Sequence, residues 1–276
     1  MQTRAAVVEG QGQPFTIAEV ELDDPREDEV LVRMVATGLC HTDITMGSFL
    51  PAEMFPNVFG HEGAGVVEAV GPDVSGIEIG DHVVLSFRSC RSCATCEAGL
   101  VGYCDTSLMI NYMGMRMDGS TTYTRDGAPV FGSFFGQSSF SKHAIAYADN
   151  CVVVDQELDL TLAAPYGCGF QTGAGTVLNI FEPGPDDSLV VFGCGAVAAS
   201  PRSSLRAPPG AARSWPSTSR TAGSRSPRST APCGSTPTTS ASSRSSTASR
   251  SSPAAGRRTR STPRRSRPSS SRPSSR

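Results

Sequence analysis

The chain has 276 residues, 38% of them hydrophobic, and its formal charge of −2 averages two unlike stretches. Residues 1–197 hold all 26 acids and 8 of the 24 cations, whereas residues 198–276 hold the other 16, all arginine, and no acid. An acidic first part argues against nucleic acid as its natural partner, because phosphate binding needs a basic face. No apolar run reaches about 18 residues and no basic run leads into one, so neither a membrane span nor an export signal is read and the cytoplasm is the expected location.

Short Val-rich runs at 4–9, 29–35, 63–70 and 81–85 are broken by Gly, Pro and Asp, the pattern of barrel strands rather than helices. Gly71-Pro72 and Gly80-Asp81 mark turns between them. A long loop is expected from Ser86 to about Gly136, then strand-like sequence over 139–154 and a Gly-interrupted helical stretch over 158–181. Residues 188–197 read as a buried strand running into the turn Gly193-Cys194-Gly195, the way a dinucleotide-binding domain begins.

Of nine cysteines, Cys90, Cys93, Cys96 and Cys104 fall in a loop with few apolar residues at the spacing C-x2-C-x2-C-x7-C. Without an export signal this reads as metal ligation rather than disulfides. Four thiolates around one zinc ion leave no open position, which describes a structural site. Cys40, His61 and Cys168 form a scattered second set whose two thiolates and one imidazole leave a fourth position open for catalysis. Taken singly, these three mean little. His82 and His143 match no ligand motif, and Cys151 and Cys194 read as small strand hydrophobes.

The segments Cys40-His41-Thr42-Asp43, Gly60-His61-Glu62-Gly63-Ala64-Gly65, the four-cysteine loop and Gly167-Cys168-Gly169-Phe170-Gln171-Thr172-Gly173 together resemble the zinc-dependent medium-chain alcohol dehydrogenases in order and separation. The segment from Phe135 to Phe140 and the Gln171-Thr172-Gly173-Ala174-Gly175 run resemble the aryl-alcohol (benzyl alcohol) branch. The resemblance implies an α/β ancestry: a GroES-like β-barrel catalytic domain over 1–155, a linker helix and first Rossmann strand over 156–197, then a tail over 198–276. It implies one catalytic zinc on Cys40, His61 and Cys168, and one structural zinc on the four-cysteine loop. Glu62 is implied as an auxiliary or exchange ligand, Asp43 as the partner orienting His61, and Thr42 as acceptor of the alcohol proton. His41 is implied near the phosphates of NAD, with Gly193 and Gly195 in its binding turn. Where the family often carries a histidine three residues after the relay hydroxyl, this chain has Thr45, which leaves His41 or water to finish the proton path. The implied reaction is NAD-linked oxidation of a small primary, aromatic alcohol to its aldehyde by a homo-oligomer. A thiol-linked formaldehyde dehydrogenase of the same family and a zinc-stabilised binding module with a basic tail are the alternatives.

After Val197 the pattern stops. The expected third glycine is replaced by Ala198, and residues 198–276 contain no Val, Ile, Phe, Tyr or Met and almost only Ser, Arg, Pro, Ala, Thr and Gly. Such composition cannot offset backbone entropy by burial, so disorder is expected. One reading is a genuine basic tail; the other is an out-of-frame translation of a GC-rich gene. Every residue type in the tail except Leu205 has C or G as its second codon base, as third positions shifted into second place would give. The first bases of Ser214 to Thr218, if its serines use TCN codons, then decode as apolar, apolar, small, apolar, polar. That is a strand ending about 20 residues after the glycine turn, where an acid holds the NAD ribose. Inserting one base near codon 198 is therefore expected to yield a third glycine, an apolar helix and a strand ending in an acid near position 218. Sequencing the gene and reading the shifted frame checks this, and early stop codons there would make the tail a feature of the protein.

Overall fold

The computed structural model describes residues 1–184, 187–193 and 195–198. The expected disorder of the tail beyond Ala198 and the reading of Cys194 lie outside these. The chain builds two five-stranded sheets, one ordered β4-β1-β2-β7-β8 and the other β10-β6-β5-β3-β9. Their strands are β1 (Gln2–Val8), β2 (Phe15–Leu22), β3 (Glu29–Thr37), β4 (Asn57–Val58), β5 (Gly63–Val70), β6 (His82–Leu85), β7 (Tyr123–Arg125), β8 (Ala128–Val130), β9 (His143–Tyr147) and β10 (Cys151–Val154). The four Val-rich runs become β1, β3, β5 and β6, and the pattern over 139–154 becomes β9 and β10, in which Cys151 packs against the core as expected.

Alternation of side chains explains the layering. Ala5 and Val7 of β1, Val20 and Leu22 of β2, Tyr123 and Val130 of the β7–β8 hairpin, and Ile145 of β9 form one buried cluster spanning both sheets. Val30 and Val32 of β3 join Val67, Val83 and Leu85 in a second. Two register shifts between β3 and β5 bend the sheet, as bulges do. The Ala6 amide donates to the Phe140 carbonyl at 2.7 Å, closing the seam between the sheets.

The stretch from Ser86 to Gly136 is not the plain loop expected. It contains α2 (Ala94–Glu97), α3 (Ser107–Tyr112) and the hairpin β7–β8, turned at Asp126-Gly127, both with positive φ. These pieces run three to six residues, too short to show a period. The helical stretch is real but broken: α4 (Leu160–Ala163) and a 3-10 turn (Ala164–Gly167) end at Cys168, after which α5 (Gly169–Gly175) runs into a π-helix (Thr176–Phe181). Leu160, Ala163 and Ala164 cover Ala64 and Val84 of the second sheet.

The buried strand expected at 188–192 does not form: these residues have no strand pairing, and Val190 and Phe192 are 54% and 84% exposed. A parallel strand is stable only between paired neighbours with both faces covered. The sequence after Val197 supplies no Val or Ile from which to build them.

One buried ion pair ties the irregular 113–122 segment to the barrel. Arg116, 5% exposed, donates Nε and an Nη to both carboxylate oxygens of Glu29, 1% exposed, at 2.6 and 2.9 Å. Its other Nη donates to Asp23 at 2.8 Å and to the Thr121 carbonyl at 3.0 Å. Burial opposes the Arg116 charge, but Glu29 and Asp23 outweigh it and raise its pKa. Arg116→Ala leaves the buried Glu29 carboxylate without its guanidinium partner, so a loss of about 3–5 kcal/mol in urea unfolding is expected, and joint replacement of Arg116 and Glu29 by apolar residues should recover most of it.

Candidate functional site

The four-cysteine loop brings Cys90, Cys93, Cys96 and Cys104 together, their sulfurs all within 4.8 Å of one another. Backbone amides aim at the sulfurs: Cys93 N–H at Cys90 Sγ (3.3 Å), Cys96 N–H at Cys93 Sγ (3.4 Å) and Cys90 N–H at Cys104 Sγ (3.3 Å). The amides of Ser92 and Cys93 hold Cys90 down to about 5, whereas burial and its neighbouring thiols push Cys96 up to about 12. Four sulfurs this close cannot all ionise without a cation among them. The lobe's own core is Cys96, Cys104 and Ile110 with Val101 against them, so a zinc ion fits both the donor set and the missing cohesion.

The second set also converges. Ligand-capable atoms of Cys40, His61, Glu62 and Cys168 all lie within 4.8 Å of one another. Cys40 caps α1 (His41–Phe49), His61 and Glu62 lead into β5, and Cys168 sits at the break before α5. Gly60 turns the chain ahead of His61 with φ +98, and a methyl group there would lie 2.5 Å from the Phe140 amide.

Asp43, fully buried, organises this set. Its Oδ1 pairs with His61 Nδ1 at 2.8 Å and accepts the Gly60 amide at 3.1 Å, while its Oδ2 accepts the Cys40 amide at 3.0 Å. Asp43 is thus both a helix cap and the imidazole's partner. With Nδ1 so engaged, His61 Nε2 is left buried without a hydrogen-bond partner among the described residues. An orphaned imidazole nitrogen facing two thiols fits a metal ion. Burial disfavours a charged His61, but the hydrogen bond and charge of Asp43, with the nearby Cys168 sulfur, prevail and raise it to about 10 in the metal-free chain. Burial likewise raises the Cys40 thiol, yet the Thr42 amide and hydroxyl together with His61 bring it below its ordinary value.

Thr42 places its hydroxyl 3.6 Å from Cys40 Sγ. Glu62 is 4% exposed, and its Oε1 accepts the Gly169 amide at 2.9 Å. His41 and Thr45 are exposed on α1.

Three neighbours are not among the site residues named from sequence. Phe135 stacks on His61 with centroids 4.6 Å apart, and Tyr112 lies edge-on to Phe135 at 5.0 Å. Burial and the charge of Cys168 raise the Tyr112 phenol. Gln137, fully buried, donates to the carbonyls of His61 and Ser86 and accepts the Gly63 amide. Phe135 and Gln137 stand inside a quoted motif, but no spacing rule aims them at the metal.

The cofactor residues are not assembled into a nucleotide site. Gly193 and Gly195 are exposed, no paired strand precedes them, and Ala196 and Val197 lie beside Gly169. The described residues therefore do not fit NAD.

Residues 26–156 match the alcohol dehydrogenase GroES-like domain family. Geraniol dehydrogenase of Castellaniella defragrans is 44% identical over 201 residues, 72% of this chain and 54% of that protein. An S-(hydroxymethyl)glutathione dehydrogenase of Escherichia coli is 37% identical over 199 residues, 71% of this chain and 54% of its own. The crystal structure of benzyl alcohol dehydrogenase from Acinetobacter calcoaceticus shares 38% identity at a TM-score of 0.68, covering 72% of this chain and 54% of that one. Residues 26–156 are an alcohol dehydrogenase GroES-like domain, and the matched part of the chain is similar to dehydrogenases of the zinc-dependent medium-chain family. Zinc and NAD are that family's cofactors. The chain spans about half the length of the curated relatives it matches.

Purified protein is expected to carry two zinc ions per chain by metal analysis. Cys40→Ser should lose one ion while keeping the fold, whereas Cys96→Ser should lose one and expose the lobe to protease. Because His61 is protonated at pH 8 in the metal-free chain, zinc uptake there should release its proton. Calorimetry in two buffers of different ionisation enthalpy reads this, and Asp43→Asn should release less.

Proposed function

We propose that this fold is the metal-holding half of an enzyme that interconverts a primary alcohol with an aryl or allylic carbon skeleton and its aldehyde. The observation that carries the reading is the partnerless His61 nitrogen facing Cys40 and Cys168 beside an aromatic wall of Phe135, Phe134 and Tyr112. Cys40, His61 and Cys168 would hold a zinc ion, which would supply a Lewis acid for a substrate oxygen.

The chain's own residues do the rest. Thr42 can accept and donate through one hydroxyl, so beside Cys40 it takes the proton that the alcohol gives up. The next exposed group is His41, which with water carries the proton outward, since Thr45 cannot titrate in this range. Asp43 fixes the ring of His61, and Phe135 keeps water from its stacked face. The hydride acceptor of the family, NAD, belongs to a part of the family fold that the described residues do not supply.

The relatives that act on geraniol and benzyl alcohol favour a flat apolar substrate, and so does the aromatic wall. A glutathionyl adduct carries carboxylates and needs cations. Among the described residues Arg26, Arg33, Arg88, Arg116 and Arg125 are paired with acids and Arg91 donates to the Asp149 carbonyl. Arg4 and Lys142, without acid partners, line a separate groove beside Ile17 and Val35.

The chain as it stands is expected to show no micromolar NAD binding by calorimetry and no turnover. With the frame restored near codon 198, it should oxidise benzyl alcohol and geraniol in preference to formaldehyde plus glutathione. Cys40→Ser or Thr42→Ala should then lower kcat/KM by at least about 100-fold. A preference for the thiol adduct would overturn the substrate reading.

A further inference from the structure

We propose that Gly38 is a positioning residue for Glu62: its missing side chain leaves the slot that keeps the Glu62 carboxylate beside the Cys40, His61 and Cys168 set instead of within it. The proposal rests on reading that set as a metal site. Gly38 closes the turn out of β3, two residues before Cys40, and its amide donates to the Glu62 carbonyl at 2.9 Å. That bond fixes the two backbones against each other. A methyl group at Gly38 would then lie 1.8 Å from Glu62 Oε2 and 2.9 Å from both its Cβ and Cδ. On the other side Gly169, next to Cys168, donates its amide to Oε1 at 2.9 Å, and a methyl there would approach that oxygen to 3.2 Å. The carboxylate is therefore clamped between two glycines on the two segments that carry Cys40 and Cys168.

The backbone does not demand glycine at 38. Its φ lies outside the left-handed range that excludes side chains, so the constraint is space alone. The slot matters because of what lies next to it. A Glu62 oxygen is within 4.8 Å of the ligand atoms of Cys40, His61 and Cys168, so a change of side-chain torsion separates the clamped carboxylate from a fourth ligand position. A buried carboxylate evicted from its amide donor must find another partner, because an unpaired buried charge is strongly unfavourable. A metal ion held by Cys40, His61 and Cys168 would offer one. Filling the slot with a methyl should drive Glu62 into the set and convert an open site into a closed one.

The experiment uses the full chain loaded with zinc, and follows release to a chromophoric chelator in wild type, Gly38→Ala, Glu62→Ala and the double variant. Loss of one releasable ion in Cys40→Ser identifies the phase that belongs to this site. Gly38→Ala should slow that phase by about 10-fold or more, and the slowing should vanish in the Glu62→Ala background. A loosened structure would speed release, so faster release, or the same slowing without the carboxylate, overturns the proposal. If Cys40→Ser releases as many ions as wild type, the metal reading has failed, and thermal melting of the metal-free variants then decides the Gly38–Glu62 relation by itself. There Gly38→Ala should lower Tm, and Glu62→Ala should lessen that loss; an equal loss in both backgrounds overturns the proposal. Should Gly38→Ala fail to fold, recovery of folding in the double variant supports it and failure in both refutes it.

Discussion

Three distant stretches of chain meet at one buried carboxylate. Asp43 accepts from the Cys40 amide, the Gly60 amide and the ring of His61, and no water reaches it. A buried carboxylate with fewer donors would pick up a proton or open the structure. With three donors its oxygens are satisfied, and its bond to Nδ1 sets which imidazole nitrogen faces the thiols. The same carboxylate that starts α1 thus gives His61 its orientation and its high affinity for a proton. A metal ion entering the site must compete with that proton, so the tightness of the ligand set and its pH dependence share one cause.

The two centres solve opposite problems. In the four-cysteine lobe, amides favour thiolates at Cys90 while burial keeps Cys96 a thiol, a spread that only a cation removes. Its core is made of the ligands themselves, so metal and fold come together there. The Cys40 set instead rests on preformed parts. Phe59 and Phe134 are buried with Val8, Leu50 and Met54, Gln137 bridges three segments, and α4 seals the outer face of the sheet. Here the scaffold holds the donors in place, which is what an open site requires.

Legibility in the sequence followed the same division. Strands rich in Val announce themselves by alternation and the four-cysteine loop by residue type and spacing, so β1, β3, β5, β6 and that loop could be read directly, whereas Cys40, His61 and Cys168 were joined only by the family resemblance. β2 was not, because Phe15–Leu22 carries two acids and buries only Val20 and Leu22. The β7–β8 hairpin has three residues a side, with Pro129 in one of them, and leaves no period to detect. Tyr112, Phe135 and Gln137 reach the site through tertiary packing from a region without regular elements. The reverse error, a strand expected at 188–192, shows the limit of local pattern: Leu189, Val190, Val191 and Phe192 are as apolar as any barrel strand, but a strand is a pairing.

That unpaired segment bears on how the chain relates to its family. Leu162, Tyr166, Leu178, Ile180 and Phe181 are exposed along the helical stretch, and Val190 and Phe192 follow them. In a single chain such a succession of large apolar side chains marks a surface meant to be covered. The cover has to be apolar. Beyond Val197 the sequence offers Leu205 and Trp215 as its only large apolar side chains. The apolar complement is therefore missing from the chain's own composition. The barrel, by contrast, closes its clusters with residues 5 to 177 alone. The Cys40, His61 and Cys168 geometry thus rests on a core that the described residues close by themselves.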